Sequence, residues 1–150
     1  MSDNAISQLE RDLLKVLNDE YSFYQSLYIL LDKQRDLIKY DKEEHLLDLF
    51  TEIERCHLRI RESEQKVSTL RDRQPAAFRV AAVHPEVKKL VNCIVTLVKK
   101  NISLVQENEG YARERHDRIK LELENLKNSG KILNYLQETD PLPQFVNGKQ

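Results

Sequence analysis

The residues of this chain best spaced for chemistry are Glu54 and His57. A Glu-x-x-His pattern sets a carboxylate and an imidazole one helical turn apart, and di-iron bundles use it to turn both ligands inward. Such a centre needs a second copy and two further carboxylates from other helices. The remaining histidines do not supply it: Lys42 stands three residues before His45, Ala81 before His84 and Arg113 before His116. One copy of so short a pattern is expected by chance in a Glu-rich helical chain. No G-x-x-x-x-G-K occurs and the three glycines are scattered, so no phosphate loop is expected. No serine or cysteine stands in a context that would activate it. Cys56 and Cys93 form no C-x-x-C, and each falls on an apolar stripe or run. Both read as small buried hydrophobes in a reducing compartment. The expectation is a protein without catalysis, cofactor or metal.

The elements that would position any site are long helices. With Ile6 at heptad position a, the a positions run Ile6, Leu13, Glu20, Leu27 and Gln34, and the d positions Leu9, Val16, Phe23, Leu30 and Leu37. The e positions add Leu17, Tyr24, Leu31 and Ile38. A stripe over a, d and e covers roughly 100° of a helix, enough to face two neighbours. A first helix is expected over 4–39. The heptad phase then jumps, and Asp41 with Glu44 has the spacing of a capping box. This predicts a tight turn at 39–41, or else one kinked helix running through, with a second helix over 42–73.

That second helix places Leu46, Ile53, Ile60 and Val67 at a, and Leu49, Cys56, Ser63 and Leu70 at d. Apolar density falls after Ile60, so its end is expected to be exposed or covered by one neighbour only. Pro75 closes it. Residues 74–85 carry Phe78, Val80 and Val83 and are expected to pack across the bundle end, with a short helical turn. Pro85 suits the first turn of a third helix over 86–136. The span 113–120 of that helix is mostly charged, which suggests that it leaves the bundle there. Gly110 and Gly130 each weaken it by about 1 kcal/mol relative to Ala.

A chain of 150 residues is one domain by length, and a formal net charge of −1 argues against a general nucleic-acid or membrane binder. The charge is uneven. Residues 1–54 hold 13 acids and 6 bases, and residues 55–100 hold 4 acids and 11 bases. Two readings follow: an acidic helix beside a basic one, or a basic docking face around Arg55, Arg59 and Arg61 for an acidic partner. The N-terminus lacks a basic and then apolar leader, and the run from Leu90 to Val98 is about half a membrane span. A cytoplasmic protein without stable membrane insertion is expected. Asn101 and Asn108 sit one heptad apart at a positions of an apolar helix. Buried, they would fix register and partner choice; half-exposed, they would mark a widening of the bundle.

Several stretches resemble the FlgN-type flagellar export chaperones. In the first helix these are Leu17, Glu20-Tyr21, Tyr24, Leu27, Leu30-Leu31 and the run Gln34-Arg35-Asp36-Leu37-Ile38. Asp41, Leu46 and Leu49 follow as the family's short Asp-containing turn does. Later, asparagines precede a charged stretch and then Leu133 and Leu136. The family often ends in a Tyr followed closely by a Gly. Here Phe145 and Gly148 take those places, so no role of a phenol hydroxyl carries over. The resemblance implies a chaperone for flagellar biogenesis and protein export. It would bind C-terminal helical segments of hook-associated (hook–filament junction) proteins before secretion and deliver them to export-gate components, with no nucleotide or metal. The alternatives are a structural coiled-coil scaffold or tethering subunit, and a sibling secretion chaperone with different cargo. Homodimerisation is left open.

The fold expected is all-α: an elongated antiparallel bundle of three long helices over 1–137, with a flexible tail over 138–150. The third helix outruns its partners, yet Leu123, Leu126, Ile132, Leu133 and Leu136 stay apolar, and Phe145 and Val146 follow beyond two prolines. These seven residues form the expected partner-binding site, through helix-in-groove recognition. The alternative is that the first helix covers these leucines.

Overall fold

The computed structural model describes the backbone of residues 3–138 and the side chains of residues 3–128. The described residues are all-α, with no strand. Helix α1 spans Asp3–Lys39, and a 3-10 turn over Glu43–His45 leads into α2, Leu46–Arg73. A short α3, Pro75–Ala82, precedes α4, Pro85–Glu138. Long helices lie near the three expected spans of 4–39, 42–73 and 86–136, but α3 is a fourth, so the expectation of three helices alone is corrected. None of them is long and apolar enough to cross a membrane.

Helix α1 ends in a tight turn, as the heptad jump predicted, and the kinked through-helix is excluded. The Lys42 N–H donates to the Leu37 carbonyl at 2.9 Å and the Asp41 N–H to that of Ile38 at 3.3 Å. This is the Schellman pattern, and its C′ residue must adopt a left-handed conformation. Asp41 does so with φ 57°, which a short polar side chain tolerates better than most. The expected capping box is therefore corrected. Asp41 terminates the helix before it, and the N-cap positions that follow, Lys42 and His45, make no side-chain cap hydrogen bond. The second α-helix accordingly starts at Leu46 and not at 42.

The direction of packing follows from which residues meet. Cys56 of α2 reaches the Phe23 carbonyl, whereas Val67 and Leu70 pack beside Leu9, Leu13 and Leu17. Residue numbers rise on one helix as they fall on the other, so α1 and α2 are antiparallel. Asn101 of α4 meets Tyr24 of α1 and Asn108 meets Leu31, a constant offset of 77. The first part of α4 therefore runs parallel to α1.

Two apolar clusters form the core of residues 1–109. One gathers Leu9, Leu13 and Leu17 with Ala77, Ala81, Val87 and Ile94. The other gathers Leu27 and Leu31 with Leu49, Ile53, Cys56, Ile60 and Leu104. Helix α3 seals the first through Ala77 and Ala81, both essentially inaccessible and one turn apart. Their small side chains let its backbone lie close to α1. The segment packs on the bundle in a short helix as expected, but of its larger apolar residues only Phe78 joins the cluster, and Val80 and Val83 are exposed. The end of α2 is likewise better covered than expected, with Ser63 buried and Val67 and Leu70 against the first cluster. Pro85 opens α4 as predicted. His84 caps it, its Nδ1 accepting the Glu86 N–H at 3.2 Å.

The chain divides into two compact units within α4, one ending at Glu109 and one beginning at Gly110. The expected boundary at 137/138 falls at the edge of the described residues; Glu138 is still helical, and the rest of the expected tail lies outside them.

Candidate partner-binding surface

The first part of α4 is held to α1 by its two asparagines. Both are buried, which settles the sequence alternatives in favour of a register device. The Asn101 Nδ2 donates to the Tyr24 carbonyl at 3.2 Å. The Asn108 Nδ2 donates to the Leu31 carbonyl at 3.0 Å and to Gln34 Oε1 at 2.9 Å. Each backbone carbonyl has a second lone pair to offer a side chain from another helix. A slip of one residue would break all three bonds, so the pair fixes the offset of 77. Their Oδ1 atoms are buried without a partner, and an unsatisfied buried acceptor carries a desolvation cost. Arg35 adds a looser tie to Glu107, at 4.0 Å.

A polar layer separates the two apolar clusters. Glu20, at an a position, and Ser63, at a d position, are both buried. Burial raises the Glu20 carboxyl above its usual range, and the charge of Glu64 raises it further. The Tyr24 phenol is pushed up to about 12, mainly by burial, then by the charges of Glu64 and Glu20 and a hydrogen bond to Glu64. Nearby, the Cys56 Sγ donates to the Phe23 carbonyl at 3.0 Å. Burial raises its thiol more than Arg59 lowers it. A raised thiol engaged with a carbonyl is a poor nucleophile. Cys93, expected to be buried, is exposed instead.

Glu54 and His57 both lie on the exposed side of α2, whereas the di-iron arrangement requires its ligands turned inward. Among the described residues no cluster of three His, Cys, Asp or Glu is arranged to hold a metal ion. Arg55, Arg59 and Arg61 are exposed on the same helix. Asp12 and Asp19 of α1 line a groove together with Lys66 and Arg73 of α2. Lys15 of α1 lines it too, so the first helix brings charges of both signs to this groove.

From Gly110 on, α4 has a different character. Ile119, Leu123 and Leu126 follow at i, i+4 and i+7, the spacing of one helix face, and all three are exposed. Leu126 is 67% accessible. Leu121 is exposed as well, on the opposite side. Of the expected partner-binding residues, then, Leu123 and Leu126 are apolar side chains open to solvent. Ile132, Leu133 and Leu136 belong to the helix, but their side chains lie outside the described ones. Phe145 and Val146 lie outside the described residues altogether.

Sequence reasoning missed two further exposed apolar groups. Val91, Val95, Ile102 and Val105 line an open side of α4, and Tyr40, Leu47 and Phe50 crowd the turn between α1 and α2. Position b or c of the heptad was the available signal for Val95 and Ile102, since an apolar residue there has no partner within a bundle.

The chain matches no protein-family model, no curated protein and no solved structure with which it was compared.

Proposed function

We propose that this protein is a cytoplasmic export chaperone of the FlgN type. It would bind the C-terminal helical segments of hook-associated flagellar proteins and hold them unassembled until they reach the export gate. The observation that carries this reading is the exposed face of Ile119, Leu123 and Leu126 on α4. Such i, i+4, i+7 anchors are the means by which an amphipathic helix engages a partner, and exposed apolar groups of this kind mark interaction sites. The sequence resemblance supplies the nature of the cargo. Ile132, Leu133, Leu136, Phe145 and Val146 belong to the same expected site by sequence alone. Binding requires no nucleotide and no metal, because burial of apolar surface drives it.

The test is a titration of a fluorescently labelled C-terminal segment of a hook-associated protein into the purified chaperone. The expected result is saturable binding that weakens strongly in the Leu133→Ala, Leu136→Ala double variant and less on removal of residues 138–150. Absence of binding, together with a stable homo-oligomer by light scattering, would instead favour a structural coiled coil whose leucines are covered by self-association.

A further inference from the structure

A second surface, within residues 1–109, has the features of a peptide groove. An open groove of about 730 Å³ runs along α4 from Pro85 to Lys100, against Tyr21 of α1. At a rise of 1.5 Å per residue this stretch is about 22 Å long, four turns of a helix. Tyr21, Val83 and Leu97 give it an apolar lining, and Val83 is exposed. Lys88, Lys89 and Lys100 stand along it, all exposed, and no carboxylate lines it. Among the described residues none of these three ammonium groups is in an ion pair, although the chain is slightly acidic overall.

We propose that this groove binds an acidic amphipathic helix of a partner protein, at a site separate from the leucines of the second unit. The charge pattern selects the occupant. An apolar lining beside three uncompensated lysines complements a helix with one apolar face and carboxylates on its flanks. Nucleic acid fits less well, because phosphate tracking usually draws on a basic excess that this chain lacks. The inference does not depend on the export reading, since any partner with such a helix would satisfy it.

Cys93 lines the groove and is exposed, whereas Cys56 is buried, so the groove carries its own reporter thiol. The probe is a designed 18-residue helix with leucines at i, i+3, i+4 and i+7 and glutamates elsewhere. Its counterpart replaces every glutamate by lysine. The glutamate peptide is expected to bind the full chain, to slow alkylation of Cys93, and to weaken with added salt because the contacts are exposed charges. The lysine peptide should not bind. Charge reversal at Lys88, Lys89 and Lys100 together, each to Glu, should weaken the glutamate peptide by about tenfold or more. Val83→Asp should weaken it as well, and the Leu123→Ala, Leu126→Ala double variant should leave it unchanged. These positions are exposed, so circular dichroism should show the same helix content in every variant. Equal binding of both peptides, an unaffected charge-reversal variant, or binding of anionic vesicles or an oligonucleotide without the peptide would overturn the proposal.

Discussion

Val87 and Leu126 are both aliphatic residues on α4, yet Val87 is 2% exposed and Leu126 67%. Between them the helix passes from a stretch locked to α1 by Asn101 and Asn108 to a stretch whose apolar side chains meet solvent. The difference is one of exposure and not of residue type. Two stripes that look alike in sequence thus differ in the fold: one is buried in the core, and the other is exposed.

Stability measurements by urea titration should divide along the same line. Leu13, which is almost fully buried beside Val87, should lose about 3 kcal/mol on change to Ala. Val87→Ala should lose about 2 kcal/mol. Leu126→Ala should stay within about 0.5 kcal/mol of the parent. Comparable losses at Val87 and Leu126 would erase the distinction between the two parts of the helix. Asn108→Ala removes two hydrogen bonds and strands Gln34 Oε1, and should cost about 1–2 kcal/mol. Gly110 stands where the character changes, and a Cβ added there meets nothing within 4 Å. Gly110→Ala should therefore stabilise by up to about 1 kcal/mol.

A pH-dependent effect is expected at Glu20. Its carboxyl is raised by burial and by Glu64, so the folded chain keeps the proton to higher pH than the unfolded chain does. Ionisation therefore costs stability as pH rises from the unfolded carboxylate range through the folded value. Below about pH 4 the group is protonated in both states and the penalty vanishes. Glu20→Gln should raise Tm by a few degrees at neutral pH, and the gain should fade in acid. A gain that is the same at all pH values would show that the cost is packing and not charge.

The long helices were legible because heptad spacing is a direct record of the buried face. Leu9, Leu13, Leu17, Leu27, Leu31 and Ile38 all fall on the predicted stripe and are buried. The short α3 was harder to read, because what buries it is Ala77 and Ala81, which weigh little in a hydrophobic pattern. Asp41 was misread because one residue type serves both to start a helix and to end one, and spacing alone does not choose. Cys93 was misread because it stands in an apolar run beside buried Ile94, but one residue is 100° of rotation. The leucines of the candidate site were visible by type. Their exposure followed from the greater length of the third helix, and Leu123 and Leu126 are indeed exposed; the sequence left open whether the first helix covers them. The polar layer was half visible: Glu20 at an a position signalled a break in the stripe, but not that Glu64 and Tyr24 would gather near it.

The central claim is that the exposed leucine face of α4 binds the C-terminal segment of a hook-associated protein. Its most direct test is fluorescence anisotropy with that labelled segment, comparing the parent chain with the Leu123→Ala, Leu126→Ala double variant. Loss of about two exposed apolar anchors from a helix-in-groove contact should weaken binding tenfold or more, while helix content and unfolding midpoint stay near those of the parent. Binding of the segment with undiminished affinity by the double variant would contradict the account and move the site elsewhere.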